Sequence, residues 1–312
     1  MAVVGVDVGG TKIAAAVVGA DLKVRAVARA PTPRGADALV GAVARAASSL
    51  VRSSAEPVTA VGLGIASLVD AAGRVVSSTN IDVEDRDVVG ELSRRLGLPV
   101  AIDNDANAAA LAEARAGAGA GHGMSVTLTI GTGIGGGIVV GGRLFRGGNG
   151  TGAELGHVVV QADGPPCQGR CPSRGCLETM ASGTAIARDG AAAAAANPEG
   201  ALAAAAASGR LITGELVAAL ARAGDPEAVG ILARAGRFLG TGLASLANVF
   251  NPDVFVIGGG VAALGDLILE PAREEYRSRA LPPNARAPVV LARLGPDAGV
   301  VGAAILALEM SS

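Results

Sequence analysis

Two stretches of the chain repeat one pattern of apolar and small residues. Val3 to Val8 reads V-V-G-V-D-V, passes through Gly9-Gly10-Thr11-Lys12 and continues as I-A-A-A-V-V to Val18. Ser125 to Ile130 reads S-V-T-L-T-I, passes through Gly131-Thr132-Gly133-Ile134-Gly135-Gly136-Gly137 and continues as I-V-V to Val140. Val- and Ile-rich runs on either side of Gly/Thr turns predict β-hairpins. Their likeness predicts two halves built on one plan. Between them the pattern predicts a helix near Ala36–Arg52, strands at Val58–Ile65 and Val100–Ile102, and a helix starting near Asn104. Alanine-rich sequence from Ser182 to Ala247 predicts helices, with the alanine runs at 191–196 and 203–207 as helix filler. A strand at Val254–Ile257 enters Gly258-Gly259-Gly260 and a further helix, and the chain closes on L-G-P-D-A-G-V-V-G-A-A from Leu294 and a terminal helix. Strands alternating with helices predict α/β layers.

Length and composition narrow the class. A chain of 312 residues suggests about two domains. Half the residues are apolar and 17% are charged, enough to bury sizeable cores. A net charge of −2 without a basic block argues against nucleic acid as a partner. With no Trp, one Tyr and four Phe, platforms for base stacking are scarce too. No secretory apolar segment opens the chain, and no apolar run of spanning length lacks glycine breaks and charges, so neither export nor a membrane partner is expected. Clustered cysteines fit a reducing, cytoplasmic setting.

All three cysteines and one of the two histidines lie between Glu154 and Glu178, spaced His157-x9-Cys167-x3-Cys171-x4-Cys176. Thiolates and a neutral imidazole are preferred zinc ligands, and four of them make a closed structural site with no open water position. A disulfide with a spare thiol, or three packed thiols, is the alternative; the prolines and glycines between the cysteines favour a metal knuckle.

The glycine loops read as follows. Gly9, Gly10, Thr11 and Lys12 offer backbone N–H groups, a hydroxyl and a positive charge to phosphate, although a Gly-Gly hairpin can equally be a plain turn. Asp7, ending its strand at that loop, suits a magnesium-associated role. Gly131, Thr132, Gly133 and Gly135 belong to a run with five glycines in seven positions, more than a turn needs. Together the two loops suggest a cradle for a nucleotide's phosphates, and Gly258, Gly259 and Gly260 a place for adenosine, or else an ordinary strand-to-helix turn. Asp103-Asn104-Asp105-Ala106-Asn107 follows a strand and opens a helix, where Asn and Asp are ordinary N-caps. His122 reads as a solvated loop residue, and Arg143 and Arg146 as surface charges or the rim of a site.

Glu154-x-Gly156-His157, the cysteines, Gly175-Cys176-Leu177-Glu178 and D-N-D-A-N-A-A-A-L-A-E at 103–113 resemble the signature of the ROK family of sugar kinases and repressors. The resemblance runs from Asp7 to the final L-G-P-D-A-G-V-V-G-A-A. It implies a two-domain α/β fold, actin/hexokinase-like and built on a duplicated ribonuclease H-like unit, with ATP and Mg2+ in an interdomain cleft. The expected division is a smaller domain at 1–116, joined by a helix near 298–312, and a larger one at 117–297 bearing the zinc knuckle. The resemblance also implies that Asn104, Glu154, His157 and Glu178 hold sugar hydroxyls, that Asn80 contacts the sugar, and that Asp105 is the base. His157 would bind zinc and sugar together. The implied reaction is transfer of the ATP γ-phosphoryl group to a hexose 6-hydroxyl, with glucose expected first. N-acetylmannosamine, N-acetylglucosamine, allose or fructose, or a silent sugar sensor, are the alternatives. A repressor of this family would carry a helix-turn-helix ahead of the first strand, which here begins by Val3. The family's habit implies a homodimer or homotetramer.

Three departures from the family pattern stand out. Three residues separate Cys167 from Cys171 where one is usual, and Pro172 replaces a glycine. Ala66-Ser67 stands where relatives often have Pro-Gly. Asp82-Val83-Glu84 follows Asn80 where many relatives have a tryptophan.

Overall fold

The computed structural model describes residues 1–78, 81, 83–84 and 86–310. The chain divides into two compact units. The first holds Met1–Thr127, Gly136–Ala153 and the chain from Ala292 onward; the second holds Leu128–Gly135 and Glu154–Leu291. The first unit is therefore wider than the expected 1–116. Its own contacts show why: Arg115 Nε donates to Gly142 O at 3.0 Å, and Ala71 N to Asn149 O at 2.9 Å.

In chain order the elements up to Ala153 are β1 (Ala2–Val8), β2 (Lys12–Gly19), β3 (Val24–Pro31), α1 (Ala36–Ser53), β4 (Val58–Ile65), β5 (Leu68–Val69), β6 (Val75–Ser77), α2 (Val88–Leu96), β7 (Val100–Asn104), α3 (Asp105–Ala116), β8 (Met124–Ile130), β9 (Ile134–Val140) and β10 (Arg143–Leu144). They are followed by α4 (Leu177–Ala181), α5 (Gly183–Ala196), α6 (Ala201–Ala207), α7 (Gly214–Arg222), α8 (Pro226–Phe250), β11 (Val254–Gly258), α9 (Asp266–Arg279), β12 (Val289–Leu291) and α10 (Ala298–Met310). One sheet runs β3-β2-β1-β4-β7 and another β10-β9-β8-β11-β12. Each places a hairpin and its edge strand beside two later strands, the repeated plan the two hairpins predict.

In the first unit, β1, β2 and β3 pair antiparallel, while β4 and β7 join in parallel. The two-residue period of β1 sends Val4, Val6 and Val8 into a core with α1 and α2. Val3 packs on the other face against Val300 and Ala304 of α10, the face that Gly5 and Asp7 share with it. There α10 approaches to backbone contact. A Cβ added at Gly5 would lie 1.9 Å from Val300 O, one at Gly62 1.6 Å from Ala303 O, and one at Gly302 1.8 Å from Ala108 O. The buried carboxylate of Glu113 closes this layer, accepting from Ala118 N at 2.7 Å, Arg293 N at 3.1 Å and Leu294 N at 2.8 Å.

The second unit is built mostly of helices. The alanine-rich stretch divides into four of them, three with side-chain caps: Ser182 for α5, Thr213 for α7, and Asp225 followed by Pro226 for α8. The long helix α8 meets α9 through Gly236 and Gly240, where an added Cβ would lie 2.4 Å from Ile268 O and Ala272 O respectively. Among the described residues no helix is long and apolar enough to cross a membrane.

The glycine contacts give a paired prediction. Gly62→Ala should lower stability by about 3 kcal/mol or more, because a helix backbone cannot yield as a side-chain tip can. Gly230→Ala, in open space within α8, should raise it by about 0.5–1 kcal/mol. Urea denaturation of both variants reads this directly, and a neutral Gly62→Ala would show that α10 shifts freely.

Candidate active site

In the first unit the candidate residues lie where β1 and β7 end. Gly9 lies outside the left-handed region. The turn therefore does not demand glycine there, whereas a close approach by a ligand would. Thr32 fixes the turn from beside it, its Oγ1 donating to Gly9 O at 2.7 Å and its N–H to Thr11 O at 3.0 Å. Gly10, Thr11 and Lys12 are exposed. Asp7 is half-buried, and Gly299 leaves it room: a Cβ there would lie 2.5 Å from its Oδ2. Burial, then the charge of Asp105, push the Asp7 carboxyl up to about 6, with Lys12 opposing.

Asn104 is the N-cap of α3, its Oδ1 accepting from Ala106 N at 2.9 Å and Asn107 N at 3.1 Å. The capping role read from the sequence is thus real. The amide's other end is engaged as well: Nδ2 donates to Ser67 O at 3.2 Å, and the side chain also bonds to the Asp105 carboxylate. Asp105 is the first residue of α3, and burial raises its proton affinity against the opposing backbone N–H of Ala106. The unusual Ser67 is tied in as well, its Oγ donating to Ser78 Oγ at 2.9 Å while Ser78 N donates to Glu84 at 2.7 Å. Asn80 lies outside the described residues.

In the second unit, Gly131 to Ile134 forms a turn held on several sides. Gly183 N donates to Gly131 O at 2.8 Å, Thr184 Oγ1 to Thr132 O at 2.7 Å, and Ile134 N to Glu178 Oε2 at 2.9 Å. Gly131 faces open space. A Cβ at Gly133 would lie 2.2 Å from that same Glu178 oxygen. Glu154 precedes and His157 ends a 3-10 turn, Leu155–His157, whose Gly156 sits against Ile134 O, 2.0 Å from a would-be Cβ. The structure therefore brings Glu154, His157, Glu178 and the second glycine loop together around Ile134. Gly135 lies within β9. Of the third loop, Gly258 ends β11, Gly259 has φ of 84° with its would-be Cβ 2.4 Å from Ile130 O, and Gly260 faces open space. Backbone geometry alone accounts for Gly259.

His157, Cys167, Cys171 and Cys176 converge, with their ligand atoms all within 4.8 Å of one another. His157 Nδ1 is 3.4 Å from Cys167 Sγ, and the Sγ atoms of Cys171 and Cys176 are 4.0 Å apart. Tetrahedral sulfurs at about 2.3 Å from a zinc ion would sit at about this separation. Burial and the neighbouring thiols push Cys167 up to about 12, and burial raises Cys176 also. Such thiols ionise only when a cation compensates them. The three-residue spacer does not keep the ligands apart.

Two residues that the sequence reading left without a role join this site. Asp103 is buried and paired with Arg146 at 2.6 Å, and Asn107 is buried beside it. His122 is exposed.

Comparison with known proteins agrees over the whole chain. The ROK family model matches residues 3–310. A glucokinase from Streptomyces coelicolor is 42% identical, covering 98% of this chain and 97% of its own. A ROK family glucokinase from Streptomyces griseus, solved in complex with glucose and AMPPNP, is 41% identical with a TM-score of 0.86, covering 99% of this chain and 100% of that one. The ROK hexokinase of Thermus thermophilus is 39% identical with a TM-score of 0.82, covering 100% of this chain and 99% of that one.

The raised Asp7 carboxyl has a consequence for stability. Its folded value of about 6 exceeds the ordinary 3.8, so the folded state binds the extra proton and stability falls as pH rises from about 4 to 6. At pH 7, with chelator present, Asp7→Asn should be more stable than the native chain by up to about 3 kcal/mol. Denaturation at pH 4 and pH 7 checks the sign; equal differences at both would refute it.

Proposed function

The chain belongs to the ROK family, and on that premise we propose that it is an ATP-dependent hexose kinase, a glucokinase, transferring the γ-phosphoryl group to the glucose 6-hydroxyl. The observation that carries this reading is Asp105 itself. It is a carboxylate fixed at the start of a capped helix, with its proton affinity raised by burial. A base works best when its pKa lies near the working pH, and such help is typically worth ~10²–10⁴ in rate. The rest comes from aligning the hydroxyl and stabilising the transferring group by charge and backbone donors.

Asn104 would hold a sugar hydroxyl through its side-chain amide. Glu178, with Oε2 held by Ile134, would offer Oε1 to a hydroxyl, and Glu154, His157 and Asn80 would complete the reading of the sugar. A buried acceptor left unpaired penalises the wrong hexose. Gly9 to Lys12 and Gly131 to Gly135 would receive phosphates, and Gly258 to Gly260 the adenosine. Asp7 would hold Mg2+, which supplies positive charge against the phosphates; a buried carboxylate whose proton affinity a second carboxylate raises further suits a cation. His157, Cys167, Cys171 and Cys176 would hold one structural Zn2+, its bond to Nδ1 leaving Nε2 for the sugar. A homodimer or homotetramer working in the cytoplasm fits the family. A sensor would have no use for an intact base together with two glycine loops.

ADP release with Mg-ATP, measured across glucose, mannose, fructose, allose, N-acetylmannosamine and N-acetylglucosamine, should be fastest with glucose. Asp105→Asn should cost at least ~10²-fold in kcat while sugar binding persists; near-normal turnover would remove Asp105 as the base.

Metal analysis should find one zinc per chain, lost in Cys171→Ser with a marked fall in Tm. Structural zinc is worth about 10–16 kcal/mol in small metal-folded peptides. Metal-free native protein would refute the knuckle.

A further inference from the structure

We propose that Arg146 is a positioning residue for phosphoryl transfer, acting through the buried carboxylate of Asp103 to set the start of α3. The inference rests on Asp105 being the base. It begins from an electrostatic problem. Asp103 is the last residue but one of β7, its side chain only 4% exposed, and a carboxylate so enclosed needs compensation for each oxygen. Oδ1 accepts from Asn104 N at 2.8 Å and from Asn107 Nδ2 at 2.9 Å. Oδ2 accepts from Arg146 Nε at 2.6 Å, and among the described residues Arg146 is the one cation in ion-pair range.

The two oxygens divide the work. Oδ1 grips the backbone of Asn104 and the side chain of Asn107, the residues on either side of Asp105 and Ala106. Asn107 is itself buried. Oδ2 is held by a guanidinium that stands 40% exposed on a cavity of about 420 Å3, which Ile102, Gly73 and Met310 also line. Arg146 is anchored in turn, since its carbonyl accepts from Gly152 N at 2.9 Å. The chain of contacts is Arg146, Asp103, Asn104 with Asn107, and so the direction in which Asp105 leaves the helix. Among the described residues Arg146 has its ion pair with Asp103 and not with Asp105, so its loss should move the base without disturbing nucleotide binding. Misplacing a reacting group by ~1 Å can cost ~10²-fold in rate.

The test compares Arg146→Met, Asp103→Asn, the double variant and Asp105→Asn. Arg146→Met leaves a buried charge unpaired, and kcat should fall ~10–100-fold with KM for ATP within about twofold of native. Asp103→Asn turns an amide hydrogen toward the guanidinium, setting donor against donor, and should also be impaired. In the double variant the side-chain amide carbonyl at position 103 can still accept from Asn104 N and Asn107, and no charge is stranded. It should therefore be more active than either single variant, a reversal that two independent structural losses would not give. Native-like turnover in Arg146→Met beside an inactive Asp105→Asn would overturn the inference alone. Turnover retained in Asp105→Asn would overturn the base assignment instead. A double variant no better than Arg146→Met would show that the arginine does not act through Asp103. Should Arg146→Met fail to fold, a folded and active double variant still supports the inference, and an unfolded one overturns it.

Discussion

The closeness with which α10 lies on the first sheet governs what that unit can do. A helix usually rests on a sheet through side chains. Here Gly5 and Gly62 let the backbone of α10 sit on β1 and β4, and Gly302 lets it meet the backbone of α3. An almost wholly apolar helix can be buried in this way, and burial at such short range leaves little space for water. Asp7 points into that same layer. Only Gly299 makes room for its carboxylate, and the price is a proton affinity raised by burial and by Asp105. Packing and electrostatics are thus one constraint. The close packing that leaves the Asp7 carboxyl room at Gly299 also desolvates it, which works against stability.

Much of this was legible from residue patterns. Both hairpins, the strand at 58–65 and the helix at 36–53 follow from apolar runs and turn residues. The edge strand β3 did not announce itself, because V-R-A-V-A-R-A-P faces solvent at most positions. The strand β12 has three residues, too few for a period. The helix α2 is short and rich in Arg and Glu, though its cap Asp87, donated to by Gly90 N, was a usable signal. Within the site, Asn104 was read both as a cap and as a sugar ligand; the geometry shows the cap. Arg146 had no local signature, because its partner lies 43 residues away. Such pairs come from the fold, and no spacing rule reaches them.

The cysteine loop shows how a departure in spacing can be absorbed. Between Cys167 and Cys171 the chain turns through Gly169 at φ of 60°, and Cys167 N donates to Ser173 O at 2.9 Å. Before Cys176, Gly175 takes φ of 59°, and a Cβ there would lie 1.6 Å from Gln161 O. The longer spacer is thus taken up in an exposed turn while the end of the loop stays clamped. That end matters most. Cys176 is both a member of the converging ligand set and the cap residue of α4, and Leu177 N ties it to Val158 O at 2.8 Å, one residue after His157. Two residues past Cys176, Glu178 holds the Gly131–Ile134 turn by its backbone. One short helix therefore carries the position of the cysteine cluster to the glycine loop, so that whatever fixes the four converging side chains also fixes the turn at Gly131–Ile134.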